Sequence, residues 1–262
     1  MNRAVSNIYP SKKQISRTFG LKADTYEQNA LIQKELISLI AKRMKIQCGK
    51  FWADLGCGTG LLEDTLDNSI KRQIAAIDIS LKSLLVVKNK KLSGVSPVCS
   101  DIEKLPVKNS SLYGIVISSV LQWFPDNLKT VIGSMADLLK NKGTLLFAVF
   151  SSDCFRELIY VQKHFQIEPP VILPDMKTLS ALLQTKNLAT IEFEEFKKTL
   201  YFSSAFDLLG SLSSIGSTAI SGKRLTRKKL KEFCTKYEDM FGSSEGVPLT
   251  YHAIVGTAIK ES

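Results

Sequence analysis

Histidine is scarce in this chain, with two in 262 residues, His164 and His252, and both read as structural. The five cysteines (Cys48, Cys57, Cys99, Cys154, Cys234) are odd in number, scattered and never spaced as C-x-x-C. That pattern excludes a disulfide framework and a cysteine metal cluster, and it fits a reducing cytosol. No apolar run is long enough to cross a bilayer, and the polar, basic stretch Met1 to Lys13 has no hydrophobic centre. The expectation is a cytoplasmic protein with neither a membrane helix nor a signal peptide. Repeats and low-complexity segments are missing as well.

What is present is a chain 44% hydrophobic, enough to bury one full core over residues 1–262. The net charge is +10, which favours an acidic partner without naming it. Nucleic acid, anionic lipid and an acidic protein all satisfy that number.

The chain is organised around Phe51-Trp52-Ala53-Asp54-Leu55-Gly56-Cys57-Gly58-Thr59-Gly60. An apolar run stops at an acid, passes through three alternate glycines and resumes at Leu61-Leu62. This reads as a buried strand, a tight turn and the start of a helix. Glycine allows both the sharp turn and a close approach of backbone to ligand. The third glycine falls one residue early for the dinucleotide fingerprint G-x-G-x-x-G. No Gly-Lys-Ser/Thr follows, so a Walker A loop is excluded. The pattern D-x-G-x-G-x-G, with Asp54, Gly56, Gly58 and Gly60, resembles the nucleotide loop of class I S-adenosylmethionine-dependent methyltransferases.

Taken in order, residues 1–20 read as an exposed arm with a partly ordered segment near Phe19, and Tyr26 to Met44 as one amphipathic helix. That helix places Leu31, Ile32, Leu36, Leu39, Ile40 and Met44 on one face. Beyond the strand that opens the glycine loop, strands are predicted at Gln73–Asp78, Val95–Cys99, Leu112–Ser118 and Thr144–Phe150, with helices between them. One of those helices, Leu128 to Leu139, is expected to close at Asn141-Lys142-Gly143 with a glycine cap. Helices follow at Asp153–Phe165 and Met176–Lys186, separated by a break at Glu168-Pro169-Pro170. A strand at Thr190–Tyr201, helical sequence over 203–240 and a final strand at Tyr251–Ile259 complete the pattern. Five alternations of strand and helix imply a doubly wound, mostly parallel α/β sheet with Rossmann-like winding, seven strands in all. Ligand chemistry then gathers at the carboxyl ends of the strands. Asp78, with Ile79 beside it, is placed to take ribose hydroxyls, or alternatively to cap the next helix. Asp101 suits the adenine amino group, Ile102 the face of the base, and Ser118 the end of the fourth strand.

A closer resemblance runs through nearly the whole chain. Phe19-x-x-x-Ala23-x-x-Tyr26-x-x-x-Ala30-x-x-Gln33, Leu121-Gln122-Trp123, Gly210 to Gly216 with Leu225-Thr226-Arg227, and Pro248-Leu249-Thr250-Tyr251 are similar to the malonyl-acyl carrier protein O-methyltransferases of biotin synthesis. The departures are Ser214-Ile215-Gly216-Ser217-Thr218 in the cap region and Ser151-Ser152-Asp153-Cys154 after the fifth strand. The resemblance implies an N-terminal helical segment over 1–45 and a helical cap inserted over 203–245, before the last strand. It also implies S-adenosylmethionine as methyl donor and, as acceptor, the free carboxylate of a malonyl thioester on an acidic acyl carrier protein. The enzyme is expected to act as a monomer, away from membranes and nucleic acid.

A carboxylate is already ionised at neutral pH, so no general base is required and no catalytic acid or base is nominated. Alignment and a desolvated pocket have to supply the catalysis. Tyr26 and Gln122 are candidates to line the transfer site, and Trp123 serves equally as core or pocket wall. Arg156 is the candidate cation for the acceptor carboxylate, with Arg17 and Lys22 as rivals. The run Lys223 to Lys231 is either a solvated helix face or the docking surface for the carrier. Two other classes stay open at this level: a methyltransferase of RNA or another small molecule, and a non-catalytic assembly factor on the same fold. No Asn-Pro-Pro-Tyr-type motif and no aromatics interleaved with the basic run support the RNA reading.

Overall fold

The computed structural model describes residues 10–44, 50–66, 73–167, 174–217 and 225–261. Cys48, the break at 168–170 and the pair Lys223 and Arg224 lie outside those residues.

The chain's first described element is a helix where an arm was expected. Ser11 caps α1 (Lys12–Lys22): its hydroxyl accepts the Gln14 N–H, and the Gln14 amide oxygen accepts the Ser11 N–H at 2.7 Å. This reciprocal box holds a helix that buries no residue of its own. The expected single helix from Tyr26 to Met44 is two, α2 (Tyr26–Asn29) and α3 (Leu31–Arg43), parted at Ala30, whose ψ of 49° leaves the helical region. The break turns Leu31 outward, 54% exposed, while Gln33 and Ile37 join Ile32, Leu36 and Ile40 in the buried face.

The Rossmann-like part follows as β1 (Phe51–Leu55), α4 (Leu61–Thr65), β2 (Gln73–Asp78), α5 (Leu81–Asn89), β3 (Val95–Cys99) and β4 (Leu112–Ser118). Then come α6 (Leu128–Leu138), β5 (Leu139–Phe150), α7 (Arg156–His164), α8 (Met176–Gln184), β6 (Leu188–Phe202), α9 (Ala205–Ser214), α10 (Arg227–Phe241) and β7 (Val247–Lys260). The seven strands lie in the order β3-β2-β1-β4-β5-β7-β6. The first five are parallel, and β7 runs antiparallel to both β5 and β6.

The glycine cap expected at Gly143 is not a cap. Helix α6 ends at Leu138, and Leu139 turns at once into extended backbone that pairs with Leu112. Lys142, at φ 62°, bends the early part of β5.

Because side chains alternate along a strand, the sheet feeds two cores. Trp52, Val116, Leu146, Ala148 and Phe150 face α3, α7, α9 and α10. Ala53, Leu55, Ile115, Ile117, Leu145 and Phe147 face α6 and α8. Trp52 lies flat on Gly114 of the neighbouring strand, where any added Cβ would come within 2.2 Å of the indole. Of the 203–245 stretch, α9 and α10 pack through Leu208, Leu212, Phe233 and Tyr237 against α7 and β7, and the Tyr237 hydroxyl donates to the Pro248 carbonyl at 2.8 Å.

Candidate active site

Four parallel strands end together. Gly56 and Cys57 N–H groups both donate to the Ile77 carbonyl (2.7 and 3.1 Å), Ser100 N–H to the Asp78 carbonyl, and Ser119 N–H to the Ala148 carbonyl. These bonds lock the turns after β1, β2, β3 and β4 into one edge. Over that edge lies a cavity lined by Asp54, Gly56, Gly58, Asp78, Asp101 and Ser118 from the strand ends, and roofed by Lys12, Ile15, Phe19 and Tyr26 from α1 and α2.

Gly56, Gly58 and Gly60 all take left-handed φ, at 78°, 56° and 87°. Gly56 has to be bare, because a Cβ there would sit 2.4 Å from Val120. Gly58 is bare for another reason: nothing lies within 4 Å of its Cβ position, so its backbone borders open space. The Gly58 N–H donates to Asp78 Oδ2 at 3.0 Å, and the Ser80 N–H to Asp78 Oδ1 at 2.7 Å. Ser80, rather than Asp78, caps α5.

The electrostatics are one-sided. Asp54 is 3% exposed and shares its surroundings with the fully buried Glu63; burial first, then the Glu63 and Asp78 charges, pushes its carboxyl well above the usual range. Burial also raises Asp78, against the pull of three backbone N–H groups. Enclosure, with Asp78 and Glu27 adding to it, raises the Tyr26 hydroxyl, which stays a neutral donor. Lys12 is the cation among the described lining residues, and it is held by Asp101 at 2.5 Å and by Glu103. Aromatic rings close the wall: Phe19 stands edge-on to Tyr26 (6.3 Å between centroids) and to Trp123 (5.8 Å).

The methyltransferase-domain family matches residues 53–147, the span from β1 to β5 that builds this edge. A protein of Anoxybacillus flavithermus named malonyl-acyl carrier protein O-methyltransferase is 30% identical over 255 residues, covering 93% of this chain and 95% of its own length. The chain belongs to that family. A second relative of the same name, from Bacillus anthracis, is 27% identical and covers 96% of this chain and 98% of its own. Among solved structures, the fold is shared with the YcgJ protein of Bacillus subtilis (TM-score 0.64, 16% identity, 87% of this chain and 99% of that one). It is shared also with a geranyl diphosphate methyltransferase in complex with S-adenosylmethionine (TM-score 0.54, 10% identity, 87% and 85%).

This family member is a methyltransferase, and its methyl donor is S-adenosylmethionine. The residues present fit that group. Open space over Gly58 admits a ligand against the backbone, and a cavity lined by three acids with its one described cation already paired suits a molecule carrying hydrogen-bond donors and positive charge.

Of the residues singled out in the sequence, Asp54, Gly56, Gly58, Asp78, Ile79, Asp101, Ile102, Ser118, Tyr26 and Trp123 line this methyltransferase's cavity. Gly60 sits one step back at the start of α4, facing Val87 and Glu63. Gln122 stands behind the lining, its amide donating to the Ser119 carbonyl at 2.7 Å. Arg156 is not brought in: it is 60% exposed and bonded to Glu157 at 3.1 Å. Burial works against the Glu157 carboxylate, but bonds from Thr250 outweigh it and keep its pKa low. Sequence reasoning missed Lys12, Glu63 and Ser119. The S-x-x-Q signature at Ser11 and Gln14 was available for the helix that carries Lys12, whereas nothing in Leu61-Leu62-Glu63 marks Glu63 as a site residue.

One constellation elsewhere has the form of a nucleophile. The Ser151 hydroxyl bonds His252 Nδ1, and His252 Nε2 lies 3.6 Å from Glu195. Ser151 is only 3% exposed and does not line the cavity, so the contact staples the end of β5 to β7.

Proposed function

We propose that this chain methylates the free carboxylate of a malonyl thioester carried on an acyl carrier protein, the step that starts pimeloyl and hence biotin synthesis. The observation that carries the reading is near full-length similarity to relatives named for that reaction. The acid-lined cavity supports the cofactor half of that reading.

When bound, S-adenosylmethionine supplies a methyl group on a positively charged sulfur, which departs as a neutral thioether with the C–S electron pair. The residues proposed to hold it are Gly56 and Gly58 along the backbone, with Gly60 shaping their turn, Asp78 with Ile79 at the ribose, Asp101 and Ile102 at the adenine, and Asp54 with the main chain of Ser118 near the reacting end. Their task is to bind and orient. The acceptor oxygen gives a lone pair to the methyl carbon, and no proton moves. Phe19, Tyr26 and Trp123 keep water from the acceptor and so raise its reactivity. Tyr26 offers an uncharged O–H to it.

The partner is read as an acidic carrier met by the basic face of α10, and the enzyme as a monomer working in the cytoplasm. Cysteines that are all free among the described residues accord with that compartment. The deciding experiment is mass spectrometry of malonyl-carrier protein incubated with enzyme and S-adenosylmethionine. One added methyl on the malonyl group supports the reading, and its absence overturns it.

A further inference from the structure

The cavity lacks an unpaired cation among its described lining residues, since Lys12 is committed to Asp101 and Glu103. An anionic acceptor has to be held by something else. The carboxyl end of β4 supplies a set of groups with no other occupation.

The register Leu55↔Ile117 puts Ser118 level with Gly56 on the adjoining strand, and Val120 packs against Gly56 itself. Ser118 and Ser119 both line the cavity. The hydroxyl oxygens of Ser118 and Ser119 and the Gln122 carbonyl oxygen are buried and have no hydrogen-bond partner. Buried polar atoms in folded proteins are nearly always satisfied, so such a cluster beside a cavity calls for a ligand. Ser119 is also a non-glycine residue at φ 57°. Its N–H is fixed to Ala148 at 2.8 Å and its carbonyl to the Gln122 amide at 2.7 Å. A conformation this sparsely populated persists where the surroundings impose it, which they do here from both sides.

We propose that Ser118 and Ser119 are neutral donors that hold the acceptor carboxylate for methyl transfer, and that Gln122 is a positioning residue that fixes Ser119. The proposal rests on the acceptor reading given above. Neutral donors suit the chemistry. The carboxylate loses its charge as the new C–O bond forms, so a tightly paired guanidinium or ammonium stabilises the ground state more than the transition state and raises the barrier. Hydroxyls orient the anion with a smaller penalty of that kind, and they leave one carboxylate oxygen unengaged as the nucleophile.

The test compares malonyl-CoA with acetyl-CoA, which lacks the free carboxylate, by calorimetry on enzyme saturated with S-adenosylhomocysteine. The variants are Ser118→Ala, Ser119→Gly and the double change; glycine at 119 removes the hydroxyl while accepting the left-handed φ. The native enzyme is expected to prefer the malonyl ligand, with each single variant losing about tenfold of that preference and the double variant nearly all of it. S-adenosylhomocysteine affinity stays within about twofold. A malonyl preference unchanged in the double variant overturns the proposal. Weakened S-adenosylhomocysteine binding with the preference intact also overturns it, by assigning the hydroxyls to the cofactor. A native enzyme with no malonyl preference and no methylation in the mass assay overturns the acceptor reading itself, and methylation without a malonyl preference overturns the serine assignment alone.

Discussion

Lys12 Nζ lies 2.5 Å from Asp101 Oδ2, which ties α1 to the end of β3. Burial opposes the ammonium, but Asp101 and Glu103 together raise its pKa, so it stays charged. The same carboxylate is the one proposed for the adenine amino group, so the tie competes with the ligand.

A partly exposed pair of this kind is worth little, roughly 0–1 kcal/mol, and is screened by salt. Stopped-flow association of S-adenosylmethionine is therefore expected to quicken with added salt in the native enzyme. In Lys12→Ala it should start severalfold faster and lose that dependence. Equal salt slopes in both proteins would dismiss the competition.

Gly58→Val is expected to abolish S-adenosylmethionine binding in calorimetry, because the side chain fills the open space above the loop. The left-handed φ adds a stability cost of about 1–2 kcal/mol, too small to unfold the chain. Retained circular dichroism with lost binding is the expected pair of results; retained binding would move the ligand elsewhere.

The Asp54–Glu63 pair gives a pH signature. A carboxyl raised in the folded state holds a proton that the unfolded chain has released, so its contribution is full below the ordinary value of 3.8 and is lost as pH rises through the raised value. Glu63→Gln removes the second acid and offers an amide to Asp54. Urea unfolding is expected to show the variant more stable by about 1–2 kcal/mol at pH 7 and level with the native chain near pH 4. A difference independent of pH would refute the raised-carboxyl account.

Lys228 and Lys231 of α10 form a groove with His164 and Phe165 at the far end of α7. His164 stands eight residues beyond Arg156, roughly 12 Å along the helix from the strand edge. Changing Arg227, Lys228 and Lys231 to Ser is expected to raise KM for malonyl-carrier protein about tenfold and flatten its salt dependence, with malonyl-CoA much less affected. An unchanged carrier KM would leave the basic helix as a solvated face.

Gly114→Ala serves as a packing control. Its Cβ meets the Trp52 ring, so a loss of about 1–3 kcal/mol is expected in thermal or urea unfolding, with S-adenosylmethionine affinity preserved. Full stability would mean that the indole can move aside.

The parts of the fold legible in the sequence were those where one physical signal dominated. Strands β2, β3 and β4 begin and end at the residues expected, because short apolar runs there are bounded by acids and turn residues. The glycine loop was legible for the same reason, and so were Asp54, Asp78 and Asp101, which line the cavity beside it. The start of β5 was hidden because Lys140-Asn141-Lys142 reads as polar turn, while in the fold the Lys140 ammonium lies 4.2 Å from the centre of the Tyr113 ring. Helix α1 was hidden because Ile15 and Phe19 face the cavity instead of a core, so burial left no periodic stripe to find. Ser119 could not be read at all, since its importance comes from a backbone angle and from a bond to Gln122.

Gly216 touches Phe19: a Cβ there would come within 3.2 Å of the ring. The ceiling over the cavity is thus an arch with two feet, one planted near the start of the chain and one in the late insertion, meeting at a single aromatic keystone. Disturbing either foot disturbs the stone. A change at Gly216 can therefore reach the cavity through Phe19, although Gly216 itself does not line it.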